Sequence, residues 1–293
     1  MLKSAIIYTY YNFIQKCRID GRYVVMIYDL QKASMWRRAS AFLCDIILFC
    51  IVAVGIAFLL SSLLGMDAQQ EKMVAICDRY AEEYALDAFL TKEELDGALT
   101  FTITEERLNT LTAEQKEILN QAGKALFDDE DYLYANMMVN QLILLTITFS
   151  LLIAHLILEF FVPLLFKNGQ TLGKKIFGVG VMRVDGVKIS PVILFVRTVL
   201  GKYAVETMIP VFVLISLVLN TAGIVTLLLL FLLIVAQVTL LFFTKANTPL
   251  HDMLASTVTV DFASQMIFDT PEELLEYKQR LHAESLADHQ QNS

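Results

Sequence analysis

Six side chains in this sequence can hold or move charge where charge is expensive: Arg38, Asp45, His155, Glu159, Glu206 and Asp252. They stand in or beside long apolar stretches, and an ionisable group in lipid costs on the order of 2.5 to 3.5 kcal/mol, so each needs a partner, water or a task. Asp45 follows Arg38 by seven residues, which puts both on one helix face with the small Ala41 between them. That pair is either structural, or it leaves Asp45 as a ligand for a cation or a proton. His155 and Glu159, four apart, share a face and form either a proton relay or a helix-stabilising pair, since imidazole titrates near neutral pH. Glu206 precedes by four residues Pro210, whose missing amide kinks a helix and either opens carbonyls to a cavity or merely adjusts packing. Asp252 comes after Pro249 and can cap the free amides of the turn "HDMLAS" or pair with Arg38 or Arg197 across a bundle.

The elements that must position these residues are membrane helices. Of 293 residues, 56% are hydrophobic and 18% charged, below the roughly 25% charged of an average soluble domain. The apolar residues concentrate in stretches at about 39–64, 142–166, 203–219 and 222–243, the lengths and compositions of membrane spans. The expected fold class is therefore an all-α polytopic membrane protein with four transmembrane helices. Orientation follows from basic residues near the span ends. Lys32, Arg37 and Arg38 precede the first span, Lys167, Lys174, Lys175, Arg183, Lys188, Arg197 and Lys202 fill the connection between the second and third, and Lys245 follows the fourth. Both termini are thus expected in the cytoplasm of a multi-pass cell-membrane protein, with the Asn220-Thr221 connection outside. The first 15 residues lack a cleavable signal, so the first span is expected to serve as an uncleaved signal anchor.

Three regions flank or interrupt the spans. Residues 1–36, with Tyr8, Tyr10, Tyr11 and Tyr28, read as a cytoplasmic, interfacial lead-in, 37–262 as the membrane domain, and 263–293 as a cytoplasmic tail. Between Met66 and Met137 there are 17 Asp and Glu against 6 Lys and Arg, which marks 66–137 as a separate external insertion. Met73, Ile76, Cys77, Tyr80 and Tyr84 recur at helical spacing there, Thr112 with Gln115 three residues on is a capping box, and Leu99 to Ile103 is long enough only for an edge strand. After the second span the period changes to two: Val179, Val181 and Val184, the Asp185-Gly186 turn, then Val187 to Ile189 predict a cytoplasmic β-hairpin, to which Thr257–Phe262 can add a strand. Ser190-Pro191 starts a helix expected to lie at the interface before turning inward, and Thr270-Pro271-Glu272-Glu273 starts a tail helix reaching about Ala287.

Several function classes are disfavoured. Basic residues lie where topology requires them, so no nucleic-acid partner is expected. Of Cys17, Cys44, Cys50 and Cys77 only the last is expected outside, which leaves no disulfide across the outer face, and no His or Cys pair has zinc spacing, so neither metal nor cofactor is expected. The string "GQTLGKK" lacks the spacing and preceding strand of a phosphate loop, and no GxSxG or HExxH is present, so the chain is not expected to be an enzyme.

Three strings in order carry a resemblance: "RRASAFLCD" with Arg38, Ala41 and Asp45; "NGQTLGKKIFGVGVMRVDG" with Gly169, Thr171, Gly173, Lys174 and Gly186; and "LHDMLASTVTV" with Leu250, His251, Asp252, Ala255, Thr257 and Val260. Together they resemble the RDD family of bacterial membrane proteins, whose arginine and two aspartates correspond to Arg38, Asp45 and Asp252. The likeness covers Trp36 to about Phe262, and the long external insertion departs from the compact family pattern. Some members are reported as monovalent cation/proton antiporters, which the resemblance implies here as a secondary transporter with Asp45 as ligand, Arg38 and Asp252 setting its ionisation, and His155 and Glu159 as relay. Glycines at 169 and 173 are read as a tight turn, with Lys174 and Lys175 facing lipid headgroups. Four spans leave little room for a water-filled path, which points to a homodimer. The competing expectation is a non-transporting anchor or accessory protein whose acidic loop and cytoplasmic face bind a partner protein or lipid.

Overall fold

In a computed structural model the chain is described at residues 18–19, 22–23, 30–90, 92–95, 98–101, 105–218, 221–244 and 247–291. The expectations for Tyr8, Tyr10, Tyr11, Tyr28, Cys17, Asn220 and Lys245 fall outside these residues. Among the described residues four helices are long and apolar enough to cross a membrane: Met35–Leu63, Glu130–Phe166, Pro191–Val218 and Ile224–Phe243. Leu228, Phe231, Leu232 and Val235 of the fourth are exposed, a surface that would aggregate in water but matches lipid tails. Two boundaries differ from expectation. The second span begins within the acidic run, at Glu130, because Glu130 and Asp131 sit favourably in a first turn. The helix begun by Ser190, whose hydroxyl accepts from the Ile193 amide, does not lie flat and then turn; it runs on as the third span.

The chain divides into two compact units, Met1–Ala53 with Leu151–Ser293, and Val54–Ser150. The second unit contains the helices Met66–Glu83 and Ala113–Asp128 around a small core of Ala81, Leu86, Leu90, Leu111 and Ala122. Its Thr112–Gln115 capping box forms in both directions. Arg79 and Tyr80 both donate to Asp129, and the amide of Tyr132 donates to the other oxygen of the same carboxylate, tying the two helices to the start of the second span. The expected edge strand is real: β4, Ala98–Phe101, pairs antiparallel with β3, Lys92–Leu95, after the short pair β1, Arg18–Ile19, and β2, Arg22–Tyr23.

In the first unit β5, Val179–Arg183, does not form its main pairing with Val187–Ile189. The Asp185-Gly186 turn closes, with the Arg183 amide donating to the Val187 carbonyl, but only a bridge from Met182 to Lys188 follows. The true partner is β6, Thr257–Asp261, antiparallel with Val181 opposite Thr259. Met182, Val258 and Val260 pack on one side and Val181 with Ile189 and Leu194 on the other, so the strand is buried on both faces and needs an apolar partner on both. Arg37 fastens this sheet to the first span, donating to Asp261 at 2.5 Å and to the carbonyls of Phe177 and Gly178. The tail helix runs Pro271–Gln291, capped by Thr270, while the Glu273 carboxylate accepts from the Asp269 amide.

Candidate functional site

The polar site is built on two stretches of π-helix, Leu156–Phe161 in the second span and Val196–Thr207 in the third. At 3.6 residues per turn, residues five apart are separated by about 140° around a helix; the wider π turn brings them nearly over one another. Arg197, Lys202 and Thr207 are spaced in this way, and all three reach the second span. Thr207 Oγ1 hydrogen-bonds His155 Nε2 at 2.9 Å, Lys202 Nζ donates to Glu159 Oε1, and Arg197 Nη1 lies 4.0 Å from Glu159 Oε2. Thr198 Oγ1 also donates to the Glu159 carbonyl at 2.9 Å. His155 and Glu159 thus share a face but are not bonded to each other; each is engaged by the third span, and His155 packs its ring against Phe49 at 4.4 Å.

Asp252 is the most enclosed of the predicted residues. It does not cap the helix Leu250–Leu254, whose N-cap is Pro249 with no side-chain bond. Instead Arg197 Nε donates to its Oδ1 at 2.7 Å, with side chains 1% and 0% exposed, and the hydroxyls of Thr257 and Thr259 on β6 donate to Oδ1 and Oδ2. Burial by itself would raise this carboxyl; Arg197, His251 and Lys174 outweigh it and hold the group well below the usual carboxylate range. The arginine partner is therefore Arg197. Arg38 is half-buried and senses Asp252 only through space.

Asp45 pairs with neither. No ion pair joins it to Arg38 among the described residues. Its Oδ2 accepts from Thr171 Oγ1 at 2.5 Å and its Oδ1 from the Gly173 amide at 2.8 Å, so it caps from the first span the short helix Leu172–Ile176, whose own N-cap is Thr171. Of the two glycines read as a turn, only Gly169 has positive φ, at 69°. Gly173 is helical, and any side chain there would strike the Ala41 carbonyl and Asp45.

Glu206 joins three elements: Gln237 of the fourth span donates to it at 2.5 Å, and the backbone amide and Nδ1 of His251 donate at 3.0 and 2.8 Å. A carboxylate only accepts, so Nδ1 carries the imidazole proton. Burial lowers the His251 pKa below the usual imidazole value. Pro210 lies just past the π stretch, so the Glu206 carbonyl lacks its α-helical donor there.

The spacing of the sequence did not single out Lys174, Lys202 or Gln237. Lys175 does sit outward, over the Phe166 ring at 3.7 Å, but Lys174 turns inward: its Nζ is fully buried and without a hydrogen-bond partner. Burial, with Arg197 and Lys202 alongside, pulls its pKa down to about 7. Glu159 Oε2, Arg197 Nη1 and His155 Nδ1 are likewise buried without hydrogen-bond partners. The clue to Lys174 in the spacing was its place directly after Gly173, in a short helix that directs successive side chains to different sides.

A family model described as the RDD family matches residues 32–256. Neither a curated protein nor a solved structure matches the chain. The matched stretch takes in all four membrane helices and each residue of the network from Arg38 to Asp252, and the chain is accordingly a multi-pass membrane protein belonging to the RDD family.

Proposed function

We propose that this protein is a secondary transporter exchanging a monovalent cation for protons, with both termini in the cytoplasm of the cell in whose membrane it sits. What supports the reading is the set of buried polar atoms without hydrogen-bond partners on Glu159, Lys174 and Arg197, of which Glu159 Oε2 and Arg197 Nη1 face each other at 4.0 Å. An unsatisfied polar group in a buried site costs roughly 1 to 3 kcal/mol, more when charged, and a purely structural network would be expected to close such groups off. The residues assigned to exchange move accordingly: Glu159 replaces Asp45 as the ligand, because both oxygens of Asp45 already accept from Thr171 and Gly173. Asp252, bound to Arg197, Thr257 and Thr259, holds the site together rather than binding the ion. The basic residues near the span ends support the sidedness, and a four-helix chain with little interior room is proposed to act as a homodimer. No catalytic step belongs to this reading.

One observation favours a second reading, a non-transporting anchor for a partner protein or lipid: Arg37, Arg197 and Asp252 tie the β5–β6 sheet firmly to the spans. The test is proton movement in everted vesicles energised by respiration, on adding sodium, lithium or potassium. Exchange predicts a cation-dependent collapse of the pH gradient that falls at least tenfold in Glu159→Gln at equal membrane abundance. No collapse by folded wild-type protein between pH 6 and 9 would transfer the assignment to the anchor.

A further inference from the structure

Within the first unit one pattern of elements occurs twice. The second span leads into the short helix Leu172–Ile176 and then β5; the fourth leads into the short helix Leu250–Leu254 and then β6. Both short helices have five residues, and so do both strands. The N-caps, Thr171 and Pro249, stand at φ, ψ of −75°, 173° and −68°, 169°, and the C-caps, Phe177 and Ala255, at −91°, 9° and −90°, 1°. One residue of positive φ then precedes each strand, Gly178 at 62° and Ser256 at 51°. The strands pair antiparallel with their middle residues, Val181 and Thr259, opposite each other, which places a local two-fold axis between them.

The side chains repeat with the backbone. In each set the amide of the second helical residue donates to a carboxylate on the first span of the pair: Gly173 to Asp45 at 2.8 Å, His251 to Glu206 at 3.0 Å. Gly173 lies against Ala41, and His251 against Gly201. Arg38, Ala41 and Asp45 of the first span therefore correspond to Arg197, Gly201 and Glu206 of the third, each interval longer by one residue, as the wider π turn of Val196–Thr207 requires. Glu159 and Gln237 correspond as well, each thirteen residues before the first residue of its short helix. The sets differ at the third helical residue, Lys174 in one and Asp252 in the other, and the strands differ in step with it. Thr257 and Thr259, five and seven residues after Asp252, donate to its carboxylate; the same places after Lys174, which accepts nothing, hold Val179 and Val181. Arg197 accordingly bonds Asp252, whereas Arg38, which meets a lysine at the corresponding place, makes no ion pair among the described residues.

We infer that the first unit is an internal duplication, two sets of span ends, short helix and strand related by an approximate two-fold axis, with Asp45 and Glu206 as equivalent positioning residues that seat the helices bearing Lys174 and Asp252. The first and third spans both start on the side that carries the sheet, so the axis runs along the membrane normal, as it does in proteins built from parallel repeats. The sets meet where Lys202 of the second bonds Glu159 of the first. The inference goes beyond the exchange reading and does not depend on it.

The experiment transplants the acid of the second set into the first. Thermal midpoints of the full chain in detergent are compared for Arg38→Gln and for Val179→Thr with Val181→Thr, each alone and combined with Lys174→Asp. Alone, Arg38→Gln is expected to shift the midpoint by less than about 2 °C, because the guanidinium is unpaired, and the two threonines to lower it, as buried hydroxyls without acceptors do. With Lys174→Asp the arginine and the hydroxyls gain an acceptor: Arg38→Gln then lowers the midpoint by at least about 5 °C, and the threonines raise it. Shifts of the same sign and size in both backgrounds would overturn the equivalence. Should Lys174→Asp fail to fold, backbone amide exchange decides. Asp45→Asn is expected to speed exchange at least about tenfold over 172–176 alone and Glu206→Gln over 250–254 alone, with Asp45→Glu and Glu206→Asp restoring protection. A Glu206→Gln variant whose amides over 250–254 exchange as in wild type would overturn the inference.

Discussion

At the scale of the residue, the network divides into charges that hold the fold and charges left incompletely paired. Breaking a buried ion pair by removing one partner typically costs about 3 to 5 kcal/mol, because the survivor stays buried and uncompensated. Asp252→Asn and Arg197→Met are each expected to fall in that range by chemical or thermal denaturation in detergent, while the double variant recovers part of the loss. Asp45→Asn is expected to cost less, about 1 to 3 kcal/mol, since the amide can still accept from Gly173 but presents Thr171 with a donor or with no free lone pair. Lys174 predicts a pH dependence with a definite sign. Its folded pKa, about 7, lies below the ordinary lysine value of 10.5, so between those values the unfolded chain holds a proton that the folded chain does not. Stability therefore rises as pH increases from about 7 towards 10.5, and levels off below. Thermal midpoints of Lys174→Met measured from pH 6 to 10 should lose this slope; a slope equal to wild type would mean the amine is not buried as described.

At the scale of the element, Gly201 sets how close two helices come. A Cβ on Gly201 would stand 2.6 Å from His251 Cβ and 2.8 Å from its Cα, so Gly201→Ala must push the helix Leu250–Leu254 away from the third span and draw Asp252 from Arg197. Overpacking of that kind costs about 1 to 3 kcal/mol. Gly55, with nothing within 4 Å, is the control whose alanine variant is expected to be neutral in the same assay. The spans themselves were legible, because long uncharged apolar runs have few other uses. The pairing of β5 was not: "VDGVKI" offers a hairpin partner close by, yet it places Lys188 between Val187 and Ile189, whereas Thr257–Asp261 supplies a strand buried along most of its length. The site was half legible. Arg38, Asp45 and Asp252 were visible as charges out of place, but Lys202 and Arg197 fall on different faces of any α-helix, and only the π winding gathers them with Thr207. A period read at 3.6 cannot reveal a contact made at five.

At the scale of the whole molecule, the sign of charge along the chain makes a topological claim that is simple to check. In a variant with Cys17, Cys44, Cys50 and Cys77 replaced by serine, an impermeant maleimide added to intact cells should label Ala75→Cys and spare Ser264→Cys, both exposed positions. Labelling of Ser264→Cys from outside would invert the proposed orientation. The partition of acid into 66–137 was plain in the sequence; the fold inside it, with Asp129 gripped by Arg79 and Tyr80, was not, because exposed charges give no clue to their partners. The long reach from Arg197 to Asp252 also has a consequence for how the chain is made. The two are separated by 55 residues, so at about 5 to 20 residues per second the ribosome delivers the aspartate some 3 to 11 seconds after the arginine. Throughout that interval a guanidinium destined for burial has Glu159 nearby but lacks the carboxylate its Nε bonds, and β5 has no β6. A nascent chain stalled at Thr248 would therefore present an incompletely paired cation and an open strand edge, two marks that separate an unfinished copy from a finished one.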